Sequence, residues 1–132
     1  MPSSTGTWEP NTDALKPDPD RVSQWAQRQW DDHSALTQLD DLDKASLQRW
    51  ISLPLERWEP VLDGRTPDEL VHLMRLFTLA EQHLPGCEAG DQSPVITAFR
   101  LYRKATGKPD PTLTRWIKAN TDNRFLPYGP VL

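Results

Sequence analysis

The chain has 132 residues, a formal net charge of -4 at pH 7 and one cysteine, a size typical of a single domain with its own core. A single cysteine excludes an internal disulfide framework and is typical of a reducing compartment. There is no run of about 18 apolar residues that would span a bilayer, and no early apolar run that would indicate a signal peptide. These features predict a cytoplasmic protein without membrane contact.

Charge is distributed unevenly along the chain. Residues 1–92 carry 8 basic and 17 acidic side chains, whereas residues 93–132 carry 7 basic and 2 acidic ones. Two interpretations are open. The two parts complement each other across the surface of one domain, or the basic C-terminal third faces an anionic partner.

The N-terminal residues 1–17 are predicted to form a disordered tail, because they are rich in proline and poor in apolar side chains. Trp8 is the exception, and it either docks on the domain or serves as a short binding element. Residues 18–132 are predicted to form a single helical domain.

Three helices are predicted in the first half of the chain. The first begins near Asp18 and carries an apolar stripe that continues to His33. The second is capped by Asp40 or Asp43, and it is followed by a short third helix over residues 55–62.

The longest helix is predicted over residues 67–84. Thr66 is a natural N-cap, Pro67 occupies the first helical position, and Glu69 completes a capping box. The apolar residues of this helix cover an arc of roughly 160° at 100° per residue, and they are Leu70, Leu73, Met74, Leu76, Phe77, Ala80 and Leu84. So wide an arc predicts a central helix with several neighbours.

Two further helices are predicted to begin at Ser93-Pro94 and Asp110-Pro111, and no stretch shows the alternation of a strand. The predicted fold class is therefore all-α, a compact bundle of five or six helices around the central helix. Residues 121–132 are rich in large apolar side chains, so we expect an extended segment that packs along the bundle, anchored by Phe125 and Tyr128.

Glu81 falls inside the apolar arc of the central helix, so it is predicted to be a structural buried charge with a cation or backbone N–H partner. A buried carboxyl with a raised pKa is also a possible general acid, and Cys87 is a possible nucleophile if a base activates its thiol. An enzyme of unrecognised type around Glu81 and Cys87 is therefore one alternative. Because the chain has no recognisable catalytic motif, an enzyme is not expected.

No metal or cofactor site is predicted. His72 and His83 lie on one face of the central helix, but about 16 Å apart, so they and Cys87 do not share one ion. His33 follows two aspartates, but consecutive residues of a helix diverge, so solvated charge is the expected role.

The other alternative is a nucleic-acid-binding regulator that uses the basic region 94–124. Two helices joined through Gly107 have the outline of a helix-turn-helix. The residues that the second helix would offer to a groove are Thr112, Thr114, Arg115 and Lys118. The overall acidic charge weakens this interpretation, because phosphate contacts dominate nucleic-acid affinity.

The leading prediction is a small regulator, adaptor or accessory subunit that binds another protein. Six tryptophans are more than usual and Trp is enriched at interfaces, although most are expected at helix contacts. The absence of a catalytic motif and the aromatic residues near both termini also favour this function. The candidate partner-binding residues are Trp8, Arg115, Trp116, Lys118, Arg124, Phe125 and Tyr128.

Overall fold

The structure is a computed structural model that describes residues 15–108, 110–123 and 126. Within these residues the chain forms six α-helices and two 3-10 helices and no strand, which confirms the all-α prediction. The α-helices are α1 (Pro19–Ala26), α2 (Asp41–Trp50), α3 (Leu55–Leu62), α4 (Pro67–His83), α5 (Pro94–Thr106) and α6 (Pro111–Asn120), and the 3-10 helices are His33–Gln38 and Gly90–Gln92. None of the described helices is long and apolar enough to cross a bilayer.

Helix α4 is the centre of the bundle, as predicted. It begins with a complete capping box, in which Thr66 accepts from the backbone of Glu69 and Glu69 accepts from the backbone of Thr66. Most of its side chains from Leu70 to Glu81 are buried, and it packs against α1, α5, α6 and the first 3-10 helix.

Helix α1 is shorter than the stripe to His33 predicts, because it ends at Ala26. A straight helix would point Trp30 about 140° away from Trp25, whereas both side chains are fully buried in the structure. Ending the helix lets Trp30 turn back, and its indole N–H donates to the carbonyl of Trp25 (3.0 Å). His72 of α4 donates through Nδ1 to the carbonyl of Ala26 (2.7 Å), so side chains from outside the helix provide donors to two carbonyls at this end.

The start of α2 is joined to α1 by a buried carboxylate. Asp40 and Asp43 form a capping box, and Asp43 also accepts from Trp25 Nε1 (3.1 Å) and from Arg21 Nη1 (2.7 Å). Burial alone raises the pKa of Asp43, but these hydrogen bonds outweigh burial and hold the pKa below its ordinary value of 3.8.

The described tryptophans belong mainly to the core. Trp25, Trp30, Trp50 and Trp58 are buried, and only Trp116 of those described is partly exposed. Trp58 of α3 packs edge-on against Phe77 of α4, with ring centroids 5.0 Å apart. The high tryptophan content is thus explained mostly by helix packing, which was the expected role for the majority.

The last two helices begin as predicted. Ser93 and Asp110 are N-caps, and each is followed by a proline in the first helical turn. Helix α5 ends at Gly107, whose φ of 69° is the left-handed conformation that glycine adopts without strain. Residues 1–14, which include most of the predicted tail, lie outside the described residues.

Candidate functional site

The outer side of α6 carries the predicted basic residues. Leu113 and Ile117 are buried and anchor the helix, whereas Arg115 and Lys118 are exposed. Because Arg115 and Lys118 are three residues apart, they are neighbours on one face of the helix. Neither forms an ion pair within the described part of the chain. We call Arg115, Trp116 and Lys118 the α6 face.

Trp116 sits at the edge of this face and is partly buried. Its indole N–H donates to the carbonyl of Asp31 (3.2 Å), and the guanidinium of Arg75 lies 5.2 Å from the ring centroid. Arg75 also pairs with the Asp31 carboxylate (3.3 Å). These contacts hold the indole in place while part of the ring stays accessible, so Trp116 is the fixed member of the α6 face.

The connection from α5 to α6 differs from a helix-turn-helix in its packing. Helix α6 packs mainly against α4 rather than against α5, whereas the two helices of a helix-turn-helix are joined by a tight turn and pack on each other. Thr114, one of the residues offered to a groove in that interpretation, turns its hydroxyl back to the carbonyls of Asp110 and Pro111.

A second cluster of polar groups surrounds Glu81 near the end of α4. The Glu81 side chain is 7% exposed, in agreement with its predicted position in the apolar arc. Ser93 donates its hydroxyl to Glu81 Oε2, Asn123 Nδ2 donates to Oε1 (3.1 Å), and the backbone N–H of Ala89 also donates to the carboxylate. One of these three donors is a backbone N–H, as predicted, and no arginine among the described residues pairs with Glu81.

Burial controls the acidity of Glu81. Removal from water raises its pKa, and although the hydrogen bonds from Ser93, Asn123 and Ala89 lower it, the pKa rises from 4.5 to about 7. Glu81 is therefore a carboxyl that exchanges its proton near neutral pH, whereas the leading prediction was a structural buried charge and a raised pKa belonged to the general-acid alternative.

A pocket of about 310 Å³ lies over this cluster. Its walls come from the end of α4, from the loop before α5 and from the segment after α6, and the residues that line it are Glu81, Gln82, Glu88, Ala89, Gly90, Thr121, Asp122 and Asn123. Asn123 joins two of the walls, because its Nδ2 also donates to the carbonyl of Gly90 (2.9 Å).

Cys87 lies in the same loop but lacks the environment of a nucleophile. The residue is fully buried and unpaired, and burial, followed by the charges of Glu88 and Glu81, raises the pKa of its thiol to about 11. The thiolate that would attack a substrate is therefore scarce at neutral pH. This geometry disfavours the part of the enzyme alternative that depends on Cys87.

Two histidines that are distant in the sequence meet beside this pocket. The imidazole rings of His33 and His83, both on exposed residues, have centroids 5.0 Å apart and are tilted by 35°. They line a polar pocket of about 380 Å³ together with Lys118 and Asp122. Within the described residues, no group of three or more His, Cys, Asp or Glu side chains is arranged to hold a metal ion.

The remaining predicted partner-binding residues cannot be placed on this surface. Trp8, Arg124, Phe125 and Tyr128 lie outside the described residues. Leu126 is described, and it is 3% exposed and part of the core cluster, so at least one apolar side chain beyond α6 packs on the bundle.

Sequence and structure comparisons with known proteins give no match among family models, curated proteins or solved structures.

Proposed function

We propose that this chain is a small regulator, adaptor or accessory subunit that binds another protein through the α6 face. The observation that carries the proposal is a pair of exposed cations, Arg115 and Lys118, without ion-pair partners among the described residues. Trp116, which is fixed and partly accessible, lies beside Arg115 at the edge of the same exposed side of α6. Arg and Trp are the side chains most enriched among residues that dominate protein interfaces.

The chemistry of the α6 face favours a partner with an acidic surface. Complementary charge speeds association and selects the partner, and a Trp ring supplies apolar area that does not depend on charge. Three other arginines already have acidic partners, since Arg21, Arg75 and Arg100 pair with Asp43, Asp31 and Glu59. Arg115 and Lys118 are thus available to an external acidic group.

Nucleic-acid binding through residues 94–124 is the alternative function, and it has less support. Helix α6 packs on α4 rather than on α5, and the net charge of -4 opposes approach to phosphate. A catalytic function has less support still, because a buried Cys87 thiol with a pKa of about 11 is a poor nucleophile. The location that we propose is the cytoplasm, on the basis of one unpaired cysteine.

The test begins with affinity capture and cross-linking in the native host, which identifies the partner and the residues that it contacts. Calorimetry with the purified partner then compares wild type with the double variant Arg115→Glu/Lys118→Glu. We expect the double charge reversal to weaken binding by about tenfold or more, because it places like charges opposite an acidic surface.

The matched control is Lys104→Glu/Lys108→Glu, which reverses two exposed cations outside the α6 face. We expect this control to change the dissociation constant less than about twofold. Equal weakening by both variants would show that only overall charge matters. Recovery of DNA or RNA, with affinity that falls steeply between about 50 and 200 mM salt, would instead support the nucleic-acid alternative.

A further inference from the structure

Glu81 links three separate elements through one carboxyl group. It belongs to α4, it accepts from Ser93 at the N-cap of α5, and it accepts from Asn123 beyond the end of α6 (3.1 Å). Ser93 is tied to α5 as well, because its Oγ accepts from the backbone N–H of Val95 (3.2 Å). A change in the protonation of Glu81 therefore affects both the N-cap of α5 and the segment that follows α6.

The segment that follows α6 also covers the carboxyl. Residues 121–123 form one wall of the pocket over Glu81. They are held by Asn123 on Glu81 and Gly90, and by an exposed pair of hydrogen bonds between Gln82 and Asp122 (3.0 and 3.1 Å). If this segment lifts, water reaches Glu81.

Among the described residues, the other ionisable groups that line the pocket over Glu81 do not supply a counter-charge. The loop before α5 contributes the Cys87 thiol and the exposed Glu88 carboxylate, α5 contributes the neutral Ser93, and the segment after α6 contributes Asp122. The basic groups His33, His83 and Lys118 line the adjoining polar pocket rather than this one. The described groups that contact Glu81 are therefore neutral donors, the other charged residues of its pocket are acids, and water solvates the carboxylate better than this pocket does.

We propose that the protonation of Glu81 is a switch that controls whether residues 121–123 stay attached to α4 and to the loop before α5. In the closed segment burial favours the protonated form, because removal from water outweighs the three hydrogen bonds that the ionised carboxylate accepts there. The ionised form favours the open segment, in which water solvates the carboxylate. The switch belongs to the fold and does not depend on the proposed partner.

The direction of the switch follows from linkage. In the closed form the pKa of Glu81 is about 7, and in an open, hydrated form it returns toward the ordinary value of 4.5. The closed form, with the higher pKa, binds the Glu81 proton more tightly than the open form does. A rise in pH removes this proton and therefore favours the open form. With these two values, the ratio of open to closed form increases roughly tenfold between pH 6 and pH 8.

The experiment measures amide hydrogen exchange of the full chain by NMR at pH 6 and pH 8. The reporters are the backbone amides of Asp122 and Leu126, which donate to Gln82 and to the Asn123 carbonyl in the closed form. Rates are expressed as protection factors, which removes the intrinsic pH dependence of exchange. In wild type, we expect protection of both amides to fall roughly tenfold as the pH rises.

Two variants test whether Glu81 is the group responsible. Glu81→Gln keeps a side chain of the same shape and removes the titration, so protection should be equal at both pH values. Glu88→Gln removes an exposed carboxylate of the same pocket and should behave as wild type. Protection in wild type that is constant or rises with pH overturns the proposal even if Glu81→Gln does not fold, and so does loss of the pH effect in Glu88→Gln.

Discussion

At the scale of single residues, Glu81 is a carboxyl with little exposure whose described partners are all neutral. Ser93, Asn123 and the Ala89 N–H supply hydrogen bonds but no positive charge. Because no cation among these partners neutralises the carboxylate, burial favours its protonated, neutral form. The stability of the whole protein should therefore depend on the protonation of this one side chain.

The prediction for Glu81 concerns stability as a function of pH. The folded protein keeps the Glu81 proton up to about pH 7, whereas the unfolded chain loses it above 4.5. The folded state binds more protons in this pH range than the unfolded chain does. The stability that protonated Glu81 contributes is therefore lost as the pH rises from 4.5 to 7. We expect wild type to lose about 2 kcal/mol relative to Glu81→Gln between pH 5 and pH 7.5.

Urea denaturation of wild type, Glu81→Gln and the control Glu88→Gln at both pH values measures this difference. Because other groups also titrate, only the change in the difference between wild type and Glu81→Gln is informative. Curves of wild type and Glu81→Gln that stay parallel from pH 5 to pH 7.5 would contradict the assignment.

The sequence predicts part of this arrangement. The burial of Glu81 follows from its angle on α4, since helical periodicity is a local property. Its partners do not follow, because Ser93 and Asn123 are 12 and 42 residues away and their approach depends on the paths of two loops. The contact between His33 and His83 was missed for the same reason, since nothing near either histidine signals the other.

At the scale of helices, the boundaries that were predicted correctly depend on local capping. Thr66 with Glu69, and Asp40 with Asp43, form capping boxes in the structure, and the hydrogen bonds of a capping box span only three residues. The end of α1 was predicted wrongly because it depends on the space available in the core for Trp25 and Trp30. A periodic stripe carries no information about that space.

The prediction for α4 concerns two residues with no exposed surface, Leu73 and Phe77. Leu73→Ala and Phe77→Ala should each lower the free energy of unfolding by roughly 2–5 kcal/mol, because each leaves a cavity in the core. The matched control is Leu42→Ala, at a leucine of α2 that is 66% exposed, which should change stability by less than about 0.5 kcal/mol.

Chemical denaturation monitored by tryptophan fluorescence measures all three variants, and Trp58 next to Phe77 makes the signal sensitive to this part of the core. Midpoints of Leu73→Ala and Phe77→Ala that match the Leu42→Ala control would show that α4 is peripheral to stability. The helix α4 would then lie at the centre of the bundle without contributing more to its stability than a surface position does.

At the scale of the whole molecule, the all-α architecture follows from the sequence because helical periodicity and capping recur and strand patterns do not. The unequal distribution of charge is less easily interpreted. Arg100 of the basic C-terminal third pairs with Glu59, in agreement with mutual complementation, whereas Arg115 and Lys118 have no such pairing among the described residues. The first interpretation of the charge asymmetry therefore applies to Arg100 of α5, whereas an anionic partner for Arg115 and Lys118 of α6 stays a prediction.

The last prediction concerns the contribution of the chain beyond α6 to the stability of the whole bundle. Leu126 is 3% exposed and belongs to the same core cluster as α4, although it lies near the C-terminal end of the sequence. An apolar side chain in a core contributes to global stability irrespective of its place in the chain. Deletion of residues 124–132 should thus lower the unfolding temperature by roughly 10 °C and increase the binding of a dye that reports exposed apolar surface.

Two matched variants separate the contributions. Leu126→Ala in the full chain reports the one buried side chain and should account for part of the loss. Deletion of residues 127–132, which keeps Leu126, should therefore cost less than deletion of residues 124–132. An unfolding temperature unchanged by the longer deletion would show that the packing of Leu126 is too weak to matter. Unchanged capture of the partner by the same shortened chain would in turn leave the α6 face, rather than the end of the chain, as the surface proposed for the partner.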